Sequence, residues 1–133
     1  MTFEHAVILC LRRYLDFDGR ATGSEFWWFQ FFVFLLLTFT AVLSSLSASL
    51  AGFLLLFVLA GCLVPSLAVA VRRMHDVGWS GMWLVAGICL PLLWVGLLLI
   101  LVWKGQPGPN RFGPAPAGRA ASRVSRIPLV PKP

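Results

Sequence analysis

The stretch that decides the fold reads Arg72-Arg73-Met74-His75-Asp76-Val77-Gly78-Trp79-Ser80-Gly81. It is a polar segment between two apolar runs, each of which is long enough to cross a lipid bilayer. A charged segment of this kind has to lie where the hydrocarbon core ends, because unsatisfied polar groups are costly inside that core. We therefore interpret residues 72–81 as the edge of a membrane domain and as its best candidate site.

The composition is typical of an integral membrane protein. Of the 133 residues, 59% are hydrophobic and 12% are charged, against about 45–50% apolar and about 25% charged residues in soluble domains. The net charge is +6, and no acidic residue follows Asp76. The basic residues flank the apolar runs and do not cluster on one soluble face. This pattern favours anionic lipid as a partner and argues against nucleic acid.

The cysteines give no sign of a metal or of a disulfide framework. Cys10, Cys62 and Cys89 are widely spaced, with no pair at metal-ligand spacing. We expect them to behave as small buried apolar side chains. The sequence predicts no cofactor and no metal site.

Periodicity and turn residues predict the helices. Apolar residues recur at helical spacing near residues 3–15, which predicts an amphipathic helix in the headgroup layer. Thr22 followed by Glu25 has the form of a capping box, so the next helix should begin near Gly23. We predict an all-α integral membrane protein, an antiparallel bundle of about three transmembrane helices after the amphipathic one. The expected spans are about 26–44, 50–71 and 82–103.

The third apolar run is compatible with two topologies. Its length fits one crossing with a kink at Pro91, whereas the placement of charge hints at a hairpin that returns to the same side. Three crossings would place five basic residues on one side of the membrane and four, in the nearby tail, on the other side. We expect three crossings, with the N-terminus and residues 72–81 in the cytoplasm, because half-depth hairpins need protein around them.

The chain divides into a membrane domain, residues 1–116, and a basic tail, residues 117–133. We expect the tail to be disordered, because it is rich in proline and scattered arginine. We expect no cleaved signal peptide, because the first apolar run begins at Phe26, is longer than a signal's apolar region and follows Glu25 directly.

Polar side chains at the edges of the apolar runs are the candidate lipid- or partner-binding residues. They are Arg20, Glu25, Arg72, Arg73, His75, Asp76, Asn110 and Arg111. A catalytic histidine needs an orienting group, and a metal site needs more ligands than one His and one Asp supply. We therefore predict no catalytic and no metal-binding residue.

Two interpretations of residues 72–76 stay open. In the simpler one, the two arginines reach lipid phosphates, Asp76 pairs with one of them, and Gly78 ends the helix. In the other, Arg72, Arg73 and Asp76 form one electrostatic unit with Glu25. Glu25 starts the first span and Arg72 ends the second, so an antiparallel pair of helices brings them to the same membrane face.

Three motifs together resemble a known family. They are Phe17-x-Gly19-Arg20-Ala21-x-x-x-Glu25-Phe26-Trp27, Arg72-Arg73-Met74-His75-Asp76-x-Gly78-x-Ser80-Gly81-x-Trp83, and Gly105-x-x-Gly108-x-Asn110-Arg111-Phe112-Gly113-Pro114. In order and spacing this pattern resembles the YhaH-like small inner membrane proteins, described as domain of unknown function number 805. The resemblance implies a multi-pass helical fold in a bacterial inner membrane and no established activity. The chain departs from it at Thr22-Gly23-Ser24 and at Trp79, where the family often carries further basic residues.

The sequence favours a non-enzymatic membrane component. Such a protein would bind anionic lipid headgroups, a larger membrane partner or a second copy of itself through residues 72–76. The alternative is a small transporter or channel formed by an oligomer. We favour the first because no ionisable residue lies within a span, and ion pathways usually require intramembrane charges.

Overall fold

The structure is a computed structural model that describes residues 1–116. Over this range it is helical, with no strand and one isolated bridge between Asn110 and Gly113. The predicted all-α class is thereby confirmed for the described residues, whereas the predicted tail, 117–133, lies outside them. The helices are α1 (Phe3–Arg12), α2 (Gly23–Ser44), α3 (Ala48–Val77), α4 (Met82–Cys89) and α5 (Trp94–Val102), with a 3-10 turn at Pro91–Leu93.

The amphipathic helix α1 ends at Arg12, three residues before the predicted end. It packs mainly on α2, where the Phe3 ring contacts Trp28 and Phe31 edge to face at centroid distances of 5.9 and 6.2 Å. Aromatic pairs in this geometry contribute about 0.5–1.5 kcal/mol beyond their buried area. One side of α1 is therefore fixed to the first long helix, and Ile8 and Leu11 stay exposed.

Helices α2 and α3 are the two that are long and apolar enough to cross a membrane, with mean hydropathies of 2.0 and 2.6. The hydroxyl of Thr22 accepts the N–H of Glu25 at 3.1 Å, which confirms the predicted start of α2 at Gly23. The 30 residues of α3 extend about 45 Å at the helical rise. Because a bilayer core is about 30 Å thick, the last turns of α3 extend beyond it when the rest spans it.

The prediction of one kinked helix over residues 82–103 is wrong. The run is broken at Leu90, whose φ of −127° and ψ of 88° lie outside the helical region. This break has a local cause, since the residue before a proline is driven toward extended backbone. The two halves then pack against each other, so closely that a Cβ on Gly87 would lie 2.3 Å from Leu97 Cδ1. The chain therefore folds back at Pro91.

Both ends of this folded run lie beside the C-terminal end of α3. At its start, only four residues separate α3 from α4. At its end, Arg73 Nε of α3 donates to the carbonyl oxygen of Leu101 at 3.1 Å. The run begins and ends at one end of the molecule, and we call it the 82–103 hairpin.

The buried core lies at that same end. It gathers side chains from α1, α2, α3 and α5 and from the loop before α2. The members are Cys10, Ala21, Phe26, Phe29, Val69, Ala70, Met74, Leu97 and Leu101. The opposite end of α2 and α3 carries exposed apolar side chains such as Leu46 and Phe53, which suits contact with lipid.

Candidate functional site

Asp76 lies at the centre of the polar cluster and is fully buried. Its Oδ1 is 2.9 Å from Nη2 of Arg20 and 3.0 Å from Nε of the same side chain. Its Oδ2 is 2.5 Å from Nη1 of Arg73, which lies one helical turn earlier in α3. Each carboxylate oxygen therefore binds one guanidinium, an arrangement of charge-assisted hydrogen bonds.

Arg73 also binds the end of the 82–103 hairpin. Its Nε donates to the Leu101 carbonyl at 3.1 Å, and its Nη2 donates to the Trp103 carbonyl. The last carbonyls of a helix lack partners within that helix, and a cation is favourable beside them. Arg73 thus joins α3 to the C-terminal end of α5.

Arg20 binds the segment that follows the hairpin. Its two terminal nitrogens donate to the carbonyls of Gly108 and Gln106, each at 2.5 Å. The N–H of Gln106 in turn donates to the carbonyl of Asp76 at 2.8 Å. The loop before α2, the end of α3 and the segment after α5 are therefore tied together around one carboxylate.

Arg72 and Glu25 form a second buried pair. Arg72 Nη1 lies 2.9 Å from Glu25 Oε1, and both side chains are at least 96% buried. The distance is that of an ion pair. The guanidinium nitrogens of Arg72 make no further hydrogen bond within the described residues. The backbone is also engaged, since the Arg72 carbonyl accepts the N–H of Ala21 at 3.0 Å.

Cys10 of α1 completes this second pair. Its Sγ lies 3.9 Å from Oε1 of Glu25. Burial, reinforced by the nearby Glu25 carboxylate, raises the pKa of the Cys10 thiol to about 12. The side chain is therefore a protonated thiol near neutral pH, without the thiolate that nucleophilic chemistry needs.

His75 is held against the turn at residues 110–113. Its ring stacks on Phe112 with a centroid distance of 3.9 Å and an angle of 5° between the rings, and Nδ1 lies 3.2 Å from the Gly19 carbonyl. Asn110 Nδ2 donates to the His75 carbonyl at 2.8 Å. Arg111 lies over the other side of the turn, with its guanidinium carbon 4.6 Å from the Phe112 ring centroid.

All eight sequence-predicted residues thus lie at one end of the molecule, in two buried ion-pair groups and one turn. The expected contacts of Asp76 with Arg73 and of Glu25 with Arg72 are present, and Arg20 joins as a partner of Asp76 that the electrostatic unit did not include. The side chains of Arg72 and Arg73 are directed into the protein, with 0% and 3% of their surface exposed. Those two arginines therefore do not extend to the lipid surface.

Sequence reasoning missed Gln106 and the close fit around it. Gly78 ends α3 with a φ of 94°, a left-handed conformation that favours glycine. A Cβ at this position would also lie 2.4 Å from Nε2 of Gln106. The sequence at 105–108 is Gly-Gln-Pro-Gly, and its glycines are the residue type that marks close backbone approach.

The polar side chains of the cluster contact one another. Among residues 1–116, no group of three His, Cys, Asp or Glu side chains is placed to hold a metal ion. The Asp76 carboxylate is buried between two guanidiniums, and one face of the His75 ring is covered by Phe112. The cluster holds segments of the chain together through paired charges.

The chain is similar in sequence to known proteins. A family model described as "Protein of unknown function (DUF805)" matches residues 14–114. The chain is 30% identical over 106 residues to the inner membrane protein YhaI of Escherichia coli K12, covering 80% of this chain and 90% of that protein. It is 36% identical over 116 residues to the inner membrane protein YhaH of the same strain, covering 80% and 91%. No solved structure matches.

Proposed function

The chain belongs to the DUF805 family and is an inner membrane protein, and from this premise we propose that it is a non-enzymatic component that binds anionic lipid headgroups at the cytoplasmic face. The proposal includes a topology, in which α2 and α3 span the membrane and the 82–103 hairpin enters and leaves from the cytoplasm. The N-terminal helix α1 and residues 104–116 then lie on the cytoplasmic side.

The observation that carries the proposal is the return of the hairpin to the end of α3. With this topology, the seven Lys and Arg residues within residues 1–116 lie on one side of the membrane. The turn between α2 and α3, at residues 45–47, carries no charge. Cytoplasmic segments of membrane proteins carry an excess of Lys and Arg, and the three-crossing alternative would divide the bases almost equally.

The buried ion pairs stabilise the packing of the segments at the cytoplasmic face, and other basic side chains are exposed and can contact lipid. Arg20, Arg72 and Arg73 are buried beside Glu25 and Asp76. The side chains of Arg12, Lys104 and Arg111 are exposed at the end of the molecule that carries the buried ion pairs. Each Lys or Arg near an anionic surface contributes about 1 kcal/mol of attraction.

The same geometry supports a role without catalysis. The titratable groups of the cluster are taken up by ion pairs, by stacking on Phe112 or by a raised thiol pKa at Cys10. An acid–base catalyst needs a positioned group within hydrogen-bond reach of a substrate. These contacts serve cohesion between helices instead.

The proposal is tested by the lipids that accompany the protein. The full chain, extracted from native membranes in a mild detergent, should carry a larger fraction of anionic phospholipid than the bulk membrane does. The variant Arg12→Gln/Arg111→Gln should lose part of this enrichment. The control Ser44→Ala/Ser45→Ala, on the uncharged turn, should keep it. An anionic fraction equal to that of the bulk membrane would refute the proposal, and so would specific, saturable solute flux in liposomes.

A further inference from the structure

A cleft lies between the end of α3 and the end of the 82–103 hairpin. Its volume is about 410 Å³, within the range of about 300–1,000 Å³ that small-molecule sites occupy. Two tryptophans that follow helix ends lie on it together with two apolar side chains, a lysine and a glutamine. The lining residues are Val77, Trp79, Ile100, Trp103, Lys104 and Gln106.

The walls and the rim of this cleft differ in chemistry. Val77, Ile100 and the two indole rings offer apolar surface, whereas Lys104 carries a positive charge. Tryptophan is enriched where the acyl chains of a bilayer meet its headgroups. Lys104 forms no ion pair within the described residues and is exposed at the rim. The pairing of an apolar wall with an unneutralised ammonium group matches a lipid that carries a phosphate.

The geometry points to a binding site for one anionic phospholipid, with an acyl chain against Val77 and Ile100 and the headgroup phosphate at Lys104. This inference rests on the proposed function and deepens it, because it names the place and the ligand for one lipid. Lysine binds phosphate as a compact point charge, so the site distinguishes lipids by headgroup charge and not by a detailed headgroup fit.

The cleft is fixed in shape by the buried cluster. Trp103 is positioned by its carbonyl, which Arg73 binds, and Gln106 by its N–H, which binds the Asp76 carbonyl. Two walls of the cleft are therefore held by groups that are buried in the core. A site that is already formed loses less conformational entropy when the ligand binds. This favours saturable binding at one site over loose contact with the surrounding lipid.

Native mass spectrometry of the full chain in detergent tests the inference. The delipidated protein is titrated with phosphatidylglycerol and, separately, with phosphatidylcholine of the same acyl chains. One phosphatidylglycerol should bind before any other, with an affinity about fivefold above that of phosphatidylcholine, the factor for one interfacial charge. Lys104→Gln should abolish this preference. The control Arg13→Gln also removes one base, but one that already pairs with Asp16 at 2.9 Å, and it should leave the preference unchanged.

A second variant tests the apolar wall. Ile100→Trp fills the cleft and should reduce binding of both lipids at the first site, in protein whose helical content matches the wild type. An unchanged preference in Lys104→Gln would overturn the inference, and so would an equal loss in Arg13→Gln. If anionic lipid is still enriched in native extracts while no single site saturates, the cleft is refuted and the proposed function stands. Loss of the enrichment as well refutes both.

Discussion

Replacing Asp76 with alanine tests how far the buried cluster supports the fold. The carboxylate is fully buried and is the shared partner of Arg20 and Arg73. Its removal leaves two guanidiniums in the core without their counter-charge. Removing one partner of a buried ion pair costs about 3–5 kcal/mol, so we expect the free energy of unfolding to fall by about that amount.

A loss of this size is a large part of the total stability, since folded domains are stable by only about 5–15 kcal/mol. Asp76→Asn has the same shape and keeps one carbonyl acceptor for Arg20 or Arg73, although it loses the charge. Its stability should therefore lie between those of the wild type and Asp76→Ala. This order separates the loss of charge from the loss of packing.

The assay is unfolding of the purified chain in mixed micelles with rising denaturing detergent, followed by helical circular dichroism. Asp18→Ala is the matched control, because Asp18 is an exposed carboxylate in the loop before α2. Surface substitutions of this kind change stability by about 0.5 kcal/mol or less. Equal, small losses for Asp76→Ala and Asp18→Ala would refute the reasoning.

Three further predictions concern other contacts of the same end. Arg20→Ala and Asp76→Ala combined should lose less stability than the sum of the two alone, by about 0.5–3 kcal/mol, and strict additivity would contradict their pairing. Gly78→Ala should lower the free energy of unfolding by about 1–2 kcal/mol because the backbone there is left-handed, and by a further amount because Gln106 must move. Gly19→Ala, at a φ of 79° with open space around it, should cost less in the same unfolding assay. The Cys10 thiol, with its pKa raised to about 12, should resist maleimide at pH 8 and react after unfolding, as mass spectrometry of the labelled peptide will show.

The sequence was sufficient for the first three helices because their signals are local. Thr22 and Glu25 mark the start of α2, and Ser47 caps α3 by accepting the N–H of Leu50 at 3.4 Å. Gly78 ends α3 as expected. Hydropathy then separates the spans from the turns, and each of these features depends on residues within a few positions of one another.

The fold of the 82–103 run was not predictable in the same way. A half-depth hairpin and a full crossing have the same length and the same apolar composition, so hydropathy does not distinguish them. The choice depends on contacts between residues distant in sequence, above all Arg73 with the carbonyls of Leu101 and Trp103. Pro91 was read as a kink, although it also permits a reversal.

The candidate site, like the fold, was predictable from the sequence only in part. The residue types, and the face that Arg20, Glu25 and residues 72–76 share, followed from where the apolar runs begin and end. Asn110 and Arg111 were expected on the opposite side, because three crossings place the tail there, whereas the structure places their turn beside His75. Burial did not follow, because an arginine at a helix end is equally suited to a lipid phosphate and to a buried carboxylate. Arg20 and Asp76 are 56 residues apart, and only the packing of the loop before α2 on α3 brings them within 2.9 Å.

The central claim is that the 82–103 hairpin leaves the membrane on the side where it entered. The test uses a chain whose Cys10, Cys62 and Cys89 are replaced by alanine. Single cysteines are introduced into it at Ser47, at Ala115 and, as a cytoplasmic reference, at Arg12. They are then labelled with an impermeant maleimide. Ser47→Cys should react in intact spheroplasts, whereas Ala115→Cys and Arg12→Cys should react only after the inner membrane is opened. Labelling of Ala115→Cys together with Ser47→Cys in intact spheroplasts would contradict the account and restore three crossings.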